Sequence, residues 1–476
     1  MGLTKQAKWL YKEFGVSSVV TSGRDAWLVI LMRSCRMFAF GAASLVFALL
    51  LSAIGYSDFW IGFFMTATLA GDVLVSLGVS LIADTLGRRR VLFAGAAFMV
   101  VSGCTFALFE NYWLLLLAAV IGIISASGTD YGPFRSIEES TLSHLTTSST
   151  RADVLSWYVT SASLGSAVGT EISGRVVKAL KGTNEASTKA AYHAMFWVYV
   201  VAGAISMVST TVMSPKAELN SKTATDAEVA TQSAEPLLEG EDDDDGLHAA
   251  ESTRAAPSPA AERSWVAKIY ANAKLEGMSP QSRSSVFKLW ALLSVDSLAD
   301  GMVTYGLTIY YLARKFNVSE SYLGDIMSIC YILMAVSTIF ASPLARRLGL
   351  INTMVFTHIP SSAAVLFFPL PQGLPLTIVL LFVRTGLNNM DQGPRAALIA
   401  AIVRPEDRTA VMGITAMLRT LSGTLGPVIT GLLSSSDRFW VAYVVAGLLR
   451  LVYDFGLWYL FTGIKTDGNE EEESRI

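Results

Sequence analysis

The sequence predicts an all-α membrane protein with twelve transmembrane helices in two six-helix halves. Its 476 residues are 52% hydrophobic and only 16% charged. The mean hydropathy of +0.47 lies outside the usual balance of a soluble domain. Apolar segments of roughly the 20 residues that a bilayer requires recur along the whole chain. Short motifs from the first half return in the same order in the second half, which indicates an internal duplication.

The predicted spans form two sets of six, each span an apolar run of membrane-crossing length. The first set comprises residues 27–54, 58–83, 91–109, 113–135, 153–178 and 191–213. The second set comprises residues 286–313, 319–344, 350–370, 374–397, 409–434 and 438–462. The sets define an N-terminal bundle over 27–213 and a C-terminal bundle over 286–463.

Polar segments flank and separate the two bundles. Residues 214–285 are rich in Ala, Ser, Thr and acidic residues, and this composition cannot bury enough apolar surface to fold alone. We expect a largely disordered linker in which "SWVAKIYANAKLE" (264–276) allows a short helix. An N-terminal segment, 1–26, precedes the first span without a visible cleavable signal peptide, and an acidic tail, 464–476, follows the last span.

Basic residues in short loops predict the orientation of the chain. "GRRR" (87–90) follows the second span and "ARR" (345–347) follows the eighth, so both loops are expected on the cytoplasmic side. Because the number of spans is even, both termini and the linker are then cytoplasmic as well. The sequence leaves open whether the membrane is the plasma membrane or one of vacuolar or lysosomal type.

Several classes of function are not supported by the composition. The net charge of −3 gives no support for a nucleic-acid partner. No G-x-x-x-x-G-K-[ST] motif occurs, which argues against transport driven by ATP. The four histidines and three cysteines form no metal-ligand pattern and no nucleophile constellation. We therefore expect neither an enzyme nor a cofactor.

Five pairs of motifs support the duplication, because they keep a nearly constant spacing and the same order. A plan of two related bundles with a site at their interface is typical of transporters. The pairs are "YSDFWIGF" (56–63) with "VSESYLGD" (318–325), "SLIADTLGRRRVL" (80–92) with "SPLARRLGLINTM" (342–354), "DYGPFR" (130–135) with "DQGPR" (391–395), "TRADVL" (150–155) with "DRTAVM" (407–412), and "GTEISG" (169–174) with "GPVITG" (426–431).

The motif "SLIADTLGRRRVL" resembles the signature loop of the major facilitator superfamily, usually written G-x-L-x-D-R-x-G-R-R/K-x-x-L. Ser80, Ile82 and Thr85 depart from that pattern. The resemblance implies the facilitator fold and a loop that clamps the two halves from the cytoplasmic side. The matching residues to which it assigns this gating role are Asp84, Gly87, Arg88 and Arg89. "GTLGPVITG" (423–431) is similar to an antiporter motif, but it lies in the eleventh span and not in the fifth, so antiport does not follow.

Charged residues inside the spans are the candidates for substrate binding and coupling. Such charges are costly in a bilayer and normally face a bundle interior or an aqueous cavity. The resemblance implies that the first, fourth, seventh and tenth spans line the cavity. Asp296 and Asp300 are four residues apart and share a helical face. The repeat places them at positions that roughly correspond to the basic residues of the first span, which permits pairing across the interface. The full set is Arg33, Arg36, Asp72, Asp296, Asp300 and Arg384.

A second charged group lies near the cytoplasmic ends of the fourth and tenth spans, on either side of a Gly-Pro pair. Its members are Asp130 and Arg135 in one half and Asp391 and Arg395 in the other. Two interpretations remain open. The Gly-Pro pair ends or kinks each helix and the charges mark the interface, or the charges form a pair of cytoplasmic gates.

The sequence thus favours a secondary active transporter that moves a small solute by alternating access and is coupled to protons. Asp296 and Asp300 would supply the coupling, and Arg36 or Arg384 would hold an anionic or polar group of the substrate. The alternative is a receptor or scaffold built on a transporter-like fold. The expected partners are a small-molecule substrate, protons and the lipid bilayer, and we expect the chain to act as a monomer. Symport, antiport and uniport all remain open, as does the direction.

Overall fold

The computed structural model describes residues 16–122, 133–181, 185–215, 280–403 and 408–461, and the structural statements below concern these residues. Their regular elements are helices. The linker expected over 214–285 and the two chain ends fall almost wholly outside them, so their predicted character stays a prediction.

The helices of the first half follow the six predicted spans. They are α1 (Val16–Thr21), α2 (Arg24–Ile54), α3 (Asp58–Leu86), α4 (Arg88–Leu108), α5 (Tyr112–Gly122), α6 (Pro133–Leu145), α7 (Ser148–Leu180), α8 (Glu185–Met195) and α9 (Trp197–Val212).

The second half repeats this plan with more interruptions. Its helices are α10 (Pro280–Met302), α11 (Tyr305–Phe316), α12 (Glu320–Leu348), α13 (Leu350–Phe367), α14 (Leu374–Asn388), a 3₁₀ turn (Asn389–Asp391), α15 (Gln392–Ile402), α16 (Arg408–Thr424), α17 (Gly426–Ser435) and α18 (Phe439–Phe461). Over the described chain, six helical segments are each long and apolar enough to cross a membrane.

The fourth span differs from its predicted bounds. It was expected to end at 135, whereas α6 begins at Pro133 and continues to Leu145. Proline suits the first turn of a helix because its missing N–H has no partner there in any case. The extension matters because it brings Glu138 into the bundle, where its side chain is 1% exposed.

The seventh span was expected to be continuous over 286–313, but it is broken between α10 and α11. The side chain of Thr304 caps α11 by accepting a hydrogen bond from the N–H of Leu307 at 3.4 Å. The break leaves the Val303 carbonyl outside the helical ladder, free to accept from a side chain. The tenth span is also interrupted, at the 3₁₀ turn Asn389–Asp391, and the second predicted Gly-Pro pair lies in the first turn of α15 just beyond it.

Glycines bring the two halves close together at equivalent positions of the repeat. A methyl group at Gly62 in α3 would come within 2.4 Å of the Pro427 carbonyl oxygen, and Gly431 lies beside it. A methyl group at Gly324 in α12 would likewise come within 2.7 Å of the Thr170 carbonyl oxygen. The contacts of α3 with α17 and of α12 with α7 are therefore related by the duplication.

Two acidic residues at equivalent positions tie the halves together at one end of the bundle. We call this end, which holds Ile54, Asp58, Leu180 and Glu320, the distal end, and the opposite end the proximal end. Asp58 accepts hydrogen bonds from Tyr310 at 2.7 Å and from Ser434 at 2.6 Å, and it also pairs with Arg314. Glu320 accepts from Lys181 and from Tyr192, each at 2.7 Å. Each acid belongs to one half and its cation to the other, so these contacts hold the distal end together.

Candidate functional site

A cluster of charged side chains lies buried among α10, α13, α14 and α18 of the second half, and Arg450 is at its centre. Arg450 is 0% exposed. It pairs with Asp300 of α10 and with the side-chain oxygen of Asn388, the last residue of α14. It also donates to Nε2 of His358 at 2.9 Å and to the hydroxyl of Ser361 at 3.1 Å. One guanidinium thus joins four helices, two of which end at the breaks in the seventh and tenth spans.

The hydrogen bonds of His358 define its protonation in this structure. A guanidinium can only donate, so Nε2 of His358 accepts from Arg450. On the other side of the ring, Nδ1 lies 2.6 Å from Oδ1 of Asp454 and therefore carries the proton. Ser362 donates to the second oxygen of the same carboxylate at 2.7 Å. His358 is consequently a neutral imidazole that contacts the Asp454 carboxylate through Nδ1 and the Arg450 guanidinium through Nε2.

Asp296 is the unusual member of the cluster. Its side chain is 1% exposed, and neither carboxylate oxygen has a hydrogen-bond partner among the described residues. Buried polar groups are almost always hydrogen-bonded, so such an orphan points to a ligand or a change of state. A basic nitrogen near it is Nε2 of His358, 3.6 Å from Oδ1.

The cluster carries more acid than base. Three carboxylates, Asp296, Asp300 and Asp454, face one guanidinium and one neutral imidazole. Asp300 keeps 33% of its side chain accessible, whereas the other two acids are buried. The arrangement can therefore take up a proton at a buried group while the Asp300 carboxylate stays accessible.

Arg384 lies next to this cluster at the break in the seventh span. Its guanidinium donates to the Val303 carbonyl at 2.5 Å and to the Thr308 hydroxyl at 3.2 Å, and it covers the ring of Tyr305 at 5.4 Å. Among the described residues, no carboxylate forms an ion pair with it. Asp300 pairs with Arg450 and not with Arg384.

The charges of the first half form a separate cluster. Arg36 donates to both oxygens of Glu138 at 2.7 Å, and the Tyr158 hydroxyl donates to the same carboxylate at 2.7 Å. Arg33 lies over the ring of Tyr158 at 4.9 Å. The pairing across the interface that the sequence permits is not formed by Arg36, which pairs with Glu138 of its own half. Asp300 likewise pairs with Arg450 of its own half.

Asp72 of α3 is 6% exposed, and its Oδ1 has no hydrogen-bond partner among the described residues. Asp72 thus stays outside both clusters.

The residues expected to gate the cytoplasmic side lie at the proximal end where the structure describes them. Gly87 joins α3 to α4 with φ 93°, and Gly349 takes φ 83° at the equivalent position of the repeat. Arg88 donates to the Ser140 hydroxyl at 2.7 Å, and Arg89 to the Thr211 carbonyl at 3.3 Å. Asp84 lies near the end of α3, but its side chain is not described.

The members of the second predicted gating group have different partners in the two halves. Arg395 pairs with Asp391 within the tenth span, and Arg135 pairs with Glu139 at 2.7 Å within α6. Asp130 lies outside the described residues.

Four acidic, basic or histidine residues of the two clusters were not among the sequence-based candidates. They are Glu138, His358, Arg450 and Asp454. Arg450 and Asp454 are four residues apart on α18, and each has partners on another helix. The charges of these two residues inside an apolar span were the usable signal.

A cavity of about 710 Å³ opens between the halves at the distal end. Its lining includes Lys178, Lys181, Tyr310, Arg314 and Glu320 and none of the buried cluster. It is therefore lined by residues of the distal contacts and is separate from the cluster around Arg450.

Comparisons with known proteins agree with this architecture. The family model of the Major Facilitator Superfamily matches residues 29–287 and 289–475, one match for each half. The uncharacterized membrane protein YJR124C of Saccharomyces cerevisiae is 34% identical over 446 residues, 93% of this chain and 95% of that protein.

Among solved structures, the inward-open xylose transporter XylE of E. coli has a TM-score of 0.64 at 12% identity and covers 94% of this chain and 99% of its own. The nucleoside transporter NupG has a TM-score of 0.63 at 13% identity over 93% and 100%. An inward-facing bacterial homolog of the human lysosomal transporter Spinster has 0.59 at 14% identity over 92% and 96%.

Fold and buried charges together define an integral, multi-pass membrane protein of the transporter type. The chain belongs to the Major Facilitator Superfamily. This confirms the family resemblance and the predicted fold of twelve transmembrane helices in two six-helix halves.

Proposed function

We propose that this chain is a secondary active transporter that moves a small solute by alternating access and couples the movement to protons. The observation that carries the proposal is the cluster around Arg450. It places three carboxylates, one of them without a hydrogen-bond partner among the described residues, beside a broken helix of the second half. Ionisable groups at such a depth are expensive and mark proton or substrate paths.

Arg384 is the group that would hold an anionic or polar part of the substrate. Broken helices form the substrate sites of many transporters, because their free backbone groups line a cavity. Arg384 already binds such a group, the Val303 carbonyl, and a substrate with a better acceptor would compete for it. Arg36 is the weaker candidate, because both terminal nitrogens of its guanidinium already donate hydrogen bonds to Glu138.

Asp296 and Asp300 would supply the coupling. Asp300 lies within one helical turn of Val303, so a substrate bound at Arg384 lies close to the Asp300–Arg450 pair. A proton on the acidic cluster weakens the hold of that cluster on Arg450, and this changes the surroundings of the substrate. Such coupling is reciprocal and typically contributes about 1–3 kcal/mol.

The gating group has the complementary task of holding conformations. We propose that Asp84, Gly87, Arg88 and Arg89 stabilise the closed proximal end, which we place on the cytoplasmic side. Asp130 with Arg135, and Asp391 with Arg395, would act there as one gate per half. In the structure the acids Asp58 and Glu320 hold the distal end together.

The test is uptake into proteoliposomes that contain the purified full-length chain. Radiolabelled xylose and uridine serve as the first probes, because structural neighbours carry a sugar and nucleosides, and panels of amino acids and organic anions follow. We expect at least one probe to accumulate when the pH gradient is imposed, and an uncoupler to abolish the accumulation. Binding of a probe without any uptake or exchange would favour a receptor instead.

A further inference from the structure

Given a proton-coupled transporter, we propose that the coupling proton binds at Nε2 of His358, in the gap facing Asp296, and that its arrival detaches Arg450 from His358. In the structure Nε2 accepts from Arg450 at 2.9 Å, and Nδ1 holds its proton against Asp454 at 2.6 Å. His358 is therefore unprotonated at one nitrogen, and that nitrogen lies between a cation and an orphan carboxylate.

Protonation cannot leave this geometry unchanged. Once Nε2 carries a hydrogen, it and the Arg450 guanidinium are both donors and both positive, so their 2.9 Å contact becomes repulsive. Asp296 offers two buried acceptor oxygens that have no hydrogen-bond partner in the described part of the chain, and its Oδ1 lies 3.6 Å from the same nitrogen. A shift of under about 1 Å would bring the pair to the roughly 2.8 Å of a charge-assisted hydrogen bond. The orphan carboxylate is then satisfied in the protonated state.

The net charge of the cluster favours protonation of His358 and its change of partner from Arg450 to Asp296. With His358 neutral and the acids ionised, three carboxylates face one cation, Arg450. With His358 protonated, they face two. Imidazole ordinarily changes its charge between about pH 5 and 8, the range that a physiological gradient covers.

Arg450 transmits the event to the breaks in the two spans. It holds Asp300, whose backbone carbonyl accepts from the Val303 N–H at 3.3 Å, and it holds Asn388, which precedes the 3₁₀ turn of the tenth span. A guanidinium released from His358 moves toward these two partners. Protonation of His358 thereby affects the backbone at Val303, whose carbonyl accepts a hydrogen bond from Arg384.

The other charged and titratable groups near His358 are already committed or lie further away. From α18, Asp454 also accepts from Ser362, and Tyr453 presents its ring at 5.3 Å. From α10, Asp300 is paired with Arg450. The tenth span contributes Arg384, Asp391 and Arg395, and the last two pair with each other. From α12, the titratable residues in the middle of the helix are Cys330 and Tyr331.

The test needs no substrate. The full-length chain is labelled with ¹⁵N-histidine in lipid nanodiscs, with His144, His193 and His248 replaced by glutamine, so that His358 alone gives the signal. We expect a neutral ring protonated at Nδ1 at high pH and an imidazolium at low pH. Asp296→Asn should lower the midpoint of this titration by at least about one pH unit, because it removes the counter-charge.

Asp325→Asn is the control, since the Asp325 carboxylate is 40% exposed and pairs with Arg175 of the other half, outside the cluster; it should leave the midpoint unchanged. Asp454→Asn should weaken the preference for the Nδ1 proton. A ring that stays neutral from pH 5 to 8.5, or a midpoint that Asp296→Asn does not move, would overturn the assignment. Because Asp296→Asn is read on the native His358, the test survives even if replacement of His358 prevents folding.

Transport separates this inference from the proposed function. If the titration behaves as expected but no probe is ever transported, the proton site stands and the transport proposal is wrong. If proton-driven accumulation is found and His358→Asn retains it with an unaltered pH dependence, transport stands and His358 is not the coupling group. A loss of accumulation in His358→Asn, with exchange preserved, supports both.

Discussion

At the scale of single residues, the decisive feature is how each buried charge is satisfied. Arg36 and Glu138 form a two-pronged pair, with Tyr158 as a third member, and Arg450 is bound by four groups on three other helices. Removing one partner from a buried pair leaves an uncompensated charge, whereas removing both is often tolerated. The two clusters therefore differ from surface pairs in what a substitution costs.

Glu138→Gln should destabilise the protein strongly. Arg36 would then be left 14% exposed without its carboxylate, and the loss of one partner of a buried pair costs about 3–5 kcal/mol. Thermal unfolding of the purified protein in detergent measures the effect.

Glu139→Gln is the matched control for this substitution. Its carboxylate is 37% exposed and pairs with Arg135, and surface pairs contribute only about 0–1 kcal/mol. The double variant Arg36→Met with Glu138→Gln should recover most of the lost stability. Equal unfolding temperatures for Glu138→Gln and Glu139→Gln would contradict this description of the first-half cluster.

Some of these residues could be predicted from the sequence and others could not. Asp296 and Asp300 were found because their spacing puts two acids on one face of an apolar span. The partner of Asp300 was not found, since Arg450 lies on another helix and contacts between helices leave no local pattern. Glu138 was missed because the apolar run ends before it, although the helix continues. His358 is a lone histidine in an apolar span and offers no periodic signal.

At the scale of helices, close approach through glycine defines how the halves meet. Gly62 and Gly324 lie at equivalent positions and leave no room for a side chain against the opposite half. The repeat motifs therefore mark the contact surfaces and not only the ancestry of the two halves. One interpretation of the Gly-Pro pair was that it ends or kinks the tenth span; in the structure the span is interrupted at the 3₁₀ turn just before that pair. The break in the seventh span has no proline to announce it, and its residues "GMVT" fit the same apolar run.

Gly62→Ala should favour opening of the distal end. The added methyl group would meet the Pro427 carbonyl oxygen at 2.4 Å, and a backbone atom cannot yield as a side chain can. The measurement is the distance distribution between spin labels placed at residues 187 and 436, one in each half near the distal end, in a chain whose native cysteines are replaced by serine.

Gly386→Ala is the matched control, because no atom lies within 4 Å of the added methyl group. It should leave the distances unchanged, whereas Gly62→Ala should increase the population of long distances. Identical distributions for the two variants would mean that the approach of α3 to α17 does not hold the distal end closed.

At the scale of the whole molecule, duplication and hydropathy were enough to predict the architecture. Twelve apolar segments and five repeated motifs predicted two bundles, and the two matches of the family model correspond to them. The sequence could not predict the conformation, that is, which end of the bundle is held together. The distal contacts of Asp58 and Glu320 join residues that are far apart in the chain, so hydropathy carries no information about them.

Replacing residues 220–260 by a short Gly/Ser segment should preserve transport. Their composition cannot form a core, and the free energy of closing a loop depends only weakly on its length. Uptake per correctly inserted molecule, measured in reconstituted vesicles, should match that of the full-length chain. A loss of uptake from well-inserted protein would show that the linker takes part in the cycle.

The most direct measurement compares accumulation with exchange for Asp300→Asn in the same proteoliposomes, using the first probe that the native chain accumulates. Accumulation requires net proton movement, whereas counterflow exchange does not. We predict that Asp300→Asn loses gradient-driven accumulation and keeps exchange. Arg384→Lys, in contrast, should lose both through weaker binding, because lysine lacks the planar fork of donors. If Asp300→Asn still accumulates the probe with an unaltered pH dependence, the acidic cluster of the second half does not couple transport to protons.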